Sequence, residues 1–222
     1  MAAVVLDLLA DLVAPPRCSA CDDFVRRNDL FCAPCSIGVE EAHERDGGAR
    51  AAARAVFEYG GAIASAIMRF KYAGRSDLAP RLAVPMADLA ASDPVLRRAE
   101  IVVPVPLHPR RVVERGFDQA ALLAKPIARR LHVPWGIATL ARTRETPKQA
   151  TLDRAARLAN VTAAFVVARP DAIAGRAVLL IDDVCTTGAT LEACAAALGA
   201  AGARVVSALV MASSSGERGP SP

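Results

Sequence analysis

The chain has 222 residues, 53% of them apolar, and a formal net charge of +4. That is enough for one medium domain with a sizeable core, or one domain plus a small module. The charge is compatible with phosphorylated ligands or nucleic acid and demands neither. Six cysteines, four of them in paired CxxC spacing, point to metal binding over disulfides and to a reducing, cytoplasmic compartment.

In chain order, Val5, Leu8, Leu9 and Leu12 repeat at helical spacing, which predicts a short amphipathic helix over Met1 to Val13, ended by Pro15-Pro16. The segment carries Asp7 and Asp11 and no basic flank, which argues against a secretory signal, and it is too short to span a bilayer. Cys18-Ser-Ala-Cys21 and Cys32-Ala-Pro-Cys35 follow, ten residues apart. Two such knuckles present four thiolates to one tetrahedral ion, for which Zn²⁺ is expected, in a closed structural site. His43 falls after a full ligand set and reads as a surface residue. Asp46-Gly47-Gly48 marks a boundary. The predicted organisation is a helix over 1–16, a zinc module over 17–47, a main domain over 48–212 and a disordered tail over 213–222.

Within the main domain, 53–59 reads as a strand, 62–72 as a helix ending at Lys71, and 77–91 as a second helix with Pro85 inside it. Ile101 to Leu107 is a buried strand broken by Pro104 and Pro106. His108, Arg110, Arg111 and Arg115 form a basic connection, and Arg115-Gly-Phe-Asp-Gln119 opens a helix to about Arg130. Short strands are expected near 137–140 and 164–167, a polar Pro-containing connection over 142–151 and a helix over 152–158. Strands alternating with helices imply a doubly wound parallel sheet.

The most informative stretch is Val178 to Leu191. Four apolar residues, Val178 to Ile181, predict a strand buried on both faces. Asp182 and Asp183 follow, then Thr186-Thr187-Gly188-Ala189-Thr190, then an Ala-rich helix. Such a loop offers free N–H groups, hydroxyls and a helix N-terminus to a phosphate. Carboxylates beside it suit sugar hydroxyls or a Mg²⁺ shell. A last strand is expected over 204–211.

This string, Leu180-Ile-Asp-Asp-Val-Cys-Thr-Thr-Gly-Ala-Thr190, resembles the phosphoribosyl pyrophosphate (PRPP) signature of type I phosphoribosyltransferases. The ordered set of the N-terminal helix, the double CxxC, Lys71 with Gly74, Pro104-Val-Pro106, Arg115-Gly-Phe117-Asp-Gln119, Gln149 with Leu152, Arg157 and Asn160, and the signature resembles the ComF family of competence-associated proteins, including its GntX branch. The family pattern has Asn where this chain has Asp118, and an apolar or small residue where it has Cys185.

The resemblance implies a type I phosphoribosyltransferase fold with an N-terminal zinc module. It implies that Asp182 and Asp183 hold the ribose hydroxyls with Mg²⁺, and that Thr186, Thr187, Gly188, Ala189 and Thr190 wrap the 5′-phosphate. Lys71, Arg110, Arg111 and Arg115 are candidates for the pyrophosphate. Gln149 and Arg157 are candidates in or beside a mobile lid over 142–149. His108 and His132 are general-base candidates by type alone, and no glutaminase nucleophile follows Met1-Ala2. The expected function is Mg-dependent phosphoribosyl transfer to an unidentified acceptor. The alternative is a non-catalytic DNA-uptake factor that binds single-stranded DNA, a nucleotide or competence-machinery proteins through the same fold.

Overall fold

In the computed structural model, which describes residues 15–42, 53–143 and 164–214, the apolar run Val178–Ile181 lies at the centre, each residue at most 1% exposed. Burial on both faces requires a layer on each side. The run belongs to a strand, β5 (Ala177–Cys185), in a parallel sheet with β1 (Ala53–Glu58), β2 (Ile101–Pro104) and β6 (Val205–Ser213), in the order β1-β6-β5-β2. Strand alternation divides the core. Leu179, Ile181, Leu209 and Met211 join one apolar cluster, and Val178, Leu180, Ala208 and Val210 join the other. Burying each of these Leu or Ile side chains contributes roughly 1.5–3 kcal/mol.

The first cluster is closed by helices α2 (Gly61–Tyr72), α3 (Ala79–Ser92) and α5 (Gln119–Leu131). The second is closed by α6 (Ala189–Ala200) and by a small antiparallel hairpin, β3 (Leu140–Arg142) with β4 (Phe165–Val167). Helix α3 runs through Pro85 without interruption. The four cysteines lie at the ends of short turns and of a one-turn helix, α1 (Ala33–Ser36). Cys18, Phe31 and Cys32 belong to the same apolar cluster as α2 and α3.

Both margins of the sheet carry extra pairing. Outside β1, Ala42 N–H donates to Val56 O and Glu58 N–H to Glu40 O, an antiparallel bridge of Glu41 with Phe57. Outside β2, Val102 N–H donates to Pro134 O and Gly136 N–H to Val102 O.

Three sequence expectations change. The central strand does not end at Ile181 but continues to Cys185, because β6 supplies ladder partners as far as Ser213. The basic stretch after Pro106 is not a loop throughout; Pro109–Arg115 is a helix, α4, with Pro at its first turn and the His108 side chain accepting from Arg110 N–H at 3.3 Å. The strand expected at 137–140 forms at 140–142 and stands apart from the main sheet. The expected helices at 1–13 and 152–158 lie outside the described residues.

Candidate functional site

Two CxxC turns fold back on each other through backbone bonds. Cys18 N–H donates to Asp23 O at 2.7 Å, Ser19 N–H to Leu30 O at 3.0 Å, and Ser36 N–H to Cys32 O at 2.9 Å. The sulfurs of Cys18, Cys21, Cys32 and Cys35 then lie within 4.8 Å of one another. The Cys21 and Cys32 sulfurs are 3.6 Å apart. A tetrahedron with Zn–S bonds of about 2.3 Å has edges of roughly 3.8 Å, so the spacing fits that ion. Burial opposes ionisation of Cys18, but N–H groups of Cys32, Cys21 and Ala20 outweigh it and hold its pKa at about 6. The Cys35 thiol is pushed up, chiefly by its neighbours Cys32 and Cys21. A bound cation would favour the thiolate form of these cysteines.

The second cluster forms where β2 leaves the sheet. Pro104 and Pro106 cannot prolong a ladder, and the last bond from that side is Val105 N–H to Ile181 O at 2.9 Å. Strand β5 continues past this point, which leaves Asp183 N–H without a β2 carbonyl; the Asp182 carboxylate accepts it at 2.8 Å. Consecutive residues of a strand face opposite ways. Asp183, 3% exposed, faces α2 and pairs with Lys71 Nζ at 2.8 Å. Asp182 faces α6, where its charge joins burial in pushing up the Cys194 thiol. Burial first, then the adjacent Asp183, raises the Asp182 carboxyl well above the usual carboxylate range, with Lys71 and the Asp183 N–H pulling the other way.

Beyond Cys185 the chain turns into α6 through Thr186, Thr187 and Gly188. Gly188 has φ 79°, a left-handed conformation open to glycine at little cost. Thr186 and Thr187 are exposed, and Gly188, Ala189 and Thr190 are half-buried. Thr187 Oγ1 accepts weakly from Ala189 N–H at 3.5 Å. The first turn of a 12-residue helix therefore faces the same end of β5 as the two carboxylates.

The basic residues divide. Arg110 and Arg111 lie on the exposed face of α4, paired with Glu114 at 3.0 and 3.8 Å. Arg115 lies over the Tyr72 ring, 5.2 Å from its centroid, and donates to Gln119 Oε1. Tyr72 adjoins Lys71, so Arg115 stands beside the end of α2 that reaches Asp183. Gly116 (φ 84°) ends α4, and Phe117 stacks on Phe70 with centroids 5.4 Å apart. Asp118 uses both oxygens, accepting from Ala121 N–H at 3.0 Å as the cap of α5 and from Leu107 N–H at 3.2 Å. This carboxylate, which stands where the family pattern has Asn, anchors the Pro104–Leu107 turn. His132 has φ 57° and ends α5. Gln149, Arg157 and most of the expected lid lie outside the described residues.

Sequence reasoning had Lys71 as a candidate but not its carboxylate partner. It missed Arg69 and Arg75, which lack any motif and reach Asp22 through tertiary contacts.

A parallel α/β sheet wound with helices on both faces, carrying an acid pair and a Thr/Gly turn at one strand end, defines a phosphoribosyltransferase-type domain. Residues 118–221 match the family model described as a phosphoribosyl transferase domain. The chain is 31% identical over 185 residues to the DNA utilization protein YhgH of Escherichia coli (strain K12), covering 78% of this chain and 80% of that protein. It is 37% identical over 98 residues to competence protein F of Haemophilus influenzae, covering 44% and 43%. It is 30% identical over 139 residues to competence protein ComFC of Bacillus subtilis, covering 63% and 54%. The chain belongs to the ComF family, to which the sequence resemblance had assigned it. Among solved structures, one described as the allosteric regulatory enzyme of purine biosynthesis aligns at 20% identity with a TM-score of 0.44, over 64% of this chain and 29% of that one. Among the described residues no helix is long and apolar enough to cross a membrane.

Proposed function

We propose that the chain binds PRPP with Mg²⁺ and transfers its phosphoribosyl group to an acceptor. The observation that carries this reading is the shared position of Asp182, Asp183 and the Thr186–Thr190 turn at the end of β5, past the point where β2 diverges. Open α/β sheets bind ligands in such a crevice. The carboxylates accept from ribose hydroxyls, and the N–H groups and hydroxyls of Thr186, Thr187, Gly188, Ala189 and Thr190 receive the 5′-phosphate. In this reading Lys71 and Arg115 receive the pyrophosphate, and Arg110, Arg111, Gln149 and Arg157 serve its approach and the lid. The hard oxygens of Asp182 and Asp183 suit Mg²⁺, which when bound offsets charge on the departing pyrophosphate. The protein's own work is positioning and electrostatics: it fixes the ribose, excludes water and shields the leaving group.

The four cysteines hold a structural Zn²⁺. The proposed organisation is that module over 17–47, the transferase-type domain over 48–212, and a cytoplasmic location. Calorimetric titration of PRPP with Mg²⁺ tests the reading. Micromolar binding is expected for the parent protein and none for Asp182→Asn/Asp183→Asn; no binding to folded, zinc-loaded parent protein refutes it.

A second reading, a DNA-handling factor, is favoured by the names of the relatives, a DNA utilization protein and two competence proteins. In it the same ribose-phosphate site binds single-stranded DNA or a nucleotide, and its test is salt-dependent binding of an oligonucleotide. Binding that does not weaken as salt rises counts against it.

A further inference from the structure

Asp22 follows directly on Cys21, in the first cysteine turn, with φ 67°. Arg75 Nη1 donates to both of its carboxylate oxygens, each at 2.8 Å, and Arg69 Nη2 donates to Oδ2. Arg69 also reaches Ser19 O at 3.5 Å. Arg75 is held from its other side by Asp77, with Nε to Oδ1 at 2.9 Å. From α3, Arg81 adds donations to the carbonyls of Arg17 and Asp29. One carboxylate of the cysteine turn therefore grips the chain on both sides of Lys71, two residues before it and four residues after it.

At about 100° per residue, Arg69 and Lys71 point roughly 200° apart on α2. The final turn of the helix thus lies between two anchors. Arg69 faces the cysteine turn, and Lys71 faces β5, where its Nζ is 2.8 Å from Asp183 and its side chain is 17% exposed. Phe70, between them, is buried against Phe117. The turn after the helix is a left-handed glycine, Gly74 at φ 68°, followed at once by Arg75. A segment ending in glycine holds its shape only as well as its flanking bonds hold it. Here those bonds run to Asp22.

We infer that Asp22 is a positioning residue: through Arg69 and Arg75 it holds the last turn of α2 so that Lys71 reaches Asp183, and the cysteine module thereby sets the geometry of the acid pair. The ligand consequence rests on the reading of that pair as the PRPP site. The structural consequence does not.

Asp22→Asn tests it. Asparagine tolerates a left-handed φ and keeps the side-chain shape, so the cysteine turn persists while the charge that holds two guanidinium groups is lost. The first readout is the acylation rate of Lys71 under trace amine-modifying reagent, with Lys125 as internal reference. Cleavage after Arg69 and Arg75 releases Lys71 on its own short peptide. Zinc content and the thermal transition are measured on the same samples. Loss of charge-assisted bonds of this kind corresponds to about tenfold faster acylation of Lys71, with zinc content unchanged. The second readout is Mg²⁺-dependent PRPP binding, expected to weaken by about tenfold. Unchanged Lys71 acylation in a zinc-loaded variant overturns the inference. Should Asp22→Asn lose its zinc, Arg75→Gln, which alters no residue of the cysteine turn, decides on the same two readouts, with Lys71 then read on the peptide from Phe70 to Arg81. If the parent protein binds no PRPP, the functional reading fails, and Lys71 acylation still decides whether Asp22 holds the helix end.

Discussion

Lys71 Nζ lies 2.8 Å from Asp183, a carboxylate 3% exposed. Replacing Lys71 by Met keeps most of the side-chain volume and leaves that carboxylate buried beside an apolar group. Breaking one half of a buried pair costs about 3–5 kcal/mol. Since the lysine is partly open to solvent, the lower figure applies, about 3 kcal/mol. For a chain of this size, each kcal/mol lowers the melting temperature by about 2–4 °C, so a fall of roughly 6–12 °C is expected. Adding Asp183→Asn removes the stranded charge and restores most of the loss. Urea denaturation of the parent, the two single variants and the double variant closes a cycle, with an expected coupling of about 2 kcal/mol. If Lys71→Met costs less than about 1 kcal/mol, or the two single effects simply add, the pair does not stabilise the fold as argued here.

Asp182→Asn should raise stability near neutral pH. The folded protein raises this carboxyl's pKa by burial and by the neighbouring charge, so its contribution is fully present below the unfolded value of about 3.9 and is lost as pH rises through the folded value. Thermal melts should show a gap between variant and parent that opens from pH 4 towards pH 8, and a gap of constant size refutes the assignment. Asp118→Asn leaves one acceptor oxygen where the parent uses two; it should cost about 1 kcal/mol in urea denaturation, and Asp118→Ala about 2 kcal/mol. Cys18→Ser, measured by metal analysis and calorimetry, should lose the single zinc equivalent along with a large part of the melting temperature. Retention of full zinc by that variant would contradict a four-thiolate site.

The central strand, the acid pair and the Thr/Gly turn are readable from residue order, because each has its own local cause. An apolar run buries itself, and a left-handed turn wants glycine. The cysteine spacing is readable for the same reason. The extension of β5 to Cys185 is not, since it depends on partners in β6 that are some thirty residues away in sequence. Helix α4 is hidden by Pro109, which reads as a breaker until His108 is seen capping it. The two short strands β3 and β4 are legible nearly where they form, but their pairing is hidden because they are three residues each and joined across a long interval. The grip of Asp22 on Arg69 and Arg75 spans 47 and 53 positions. No local pattern encodes such a contact.

The short pairings outside β1 and β2 have a consequence for association. An open strand invites another chain to extend the sheet, whether a second copy or an extended peptide. Here Glu40–Ala42 takes up donors and acceptors along one border, and Pro134–Gly136 does so along the other. Backbone-to-backbone recruitment is thereby blunted at both borders. A partner that docks on the described part of this sheet therefore recognises side chains, and its selectivity will be written in residues that substitution can reach one at a time.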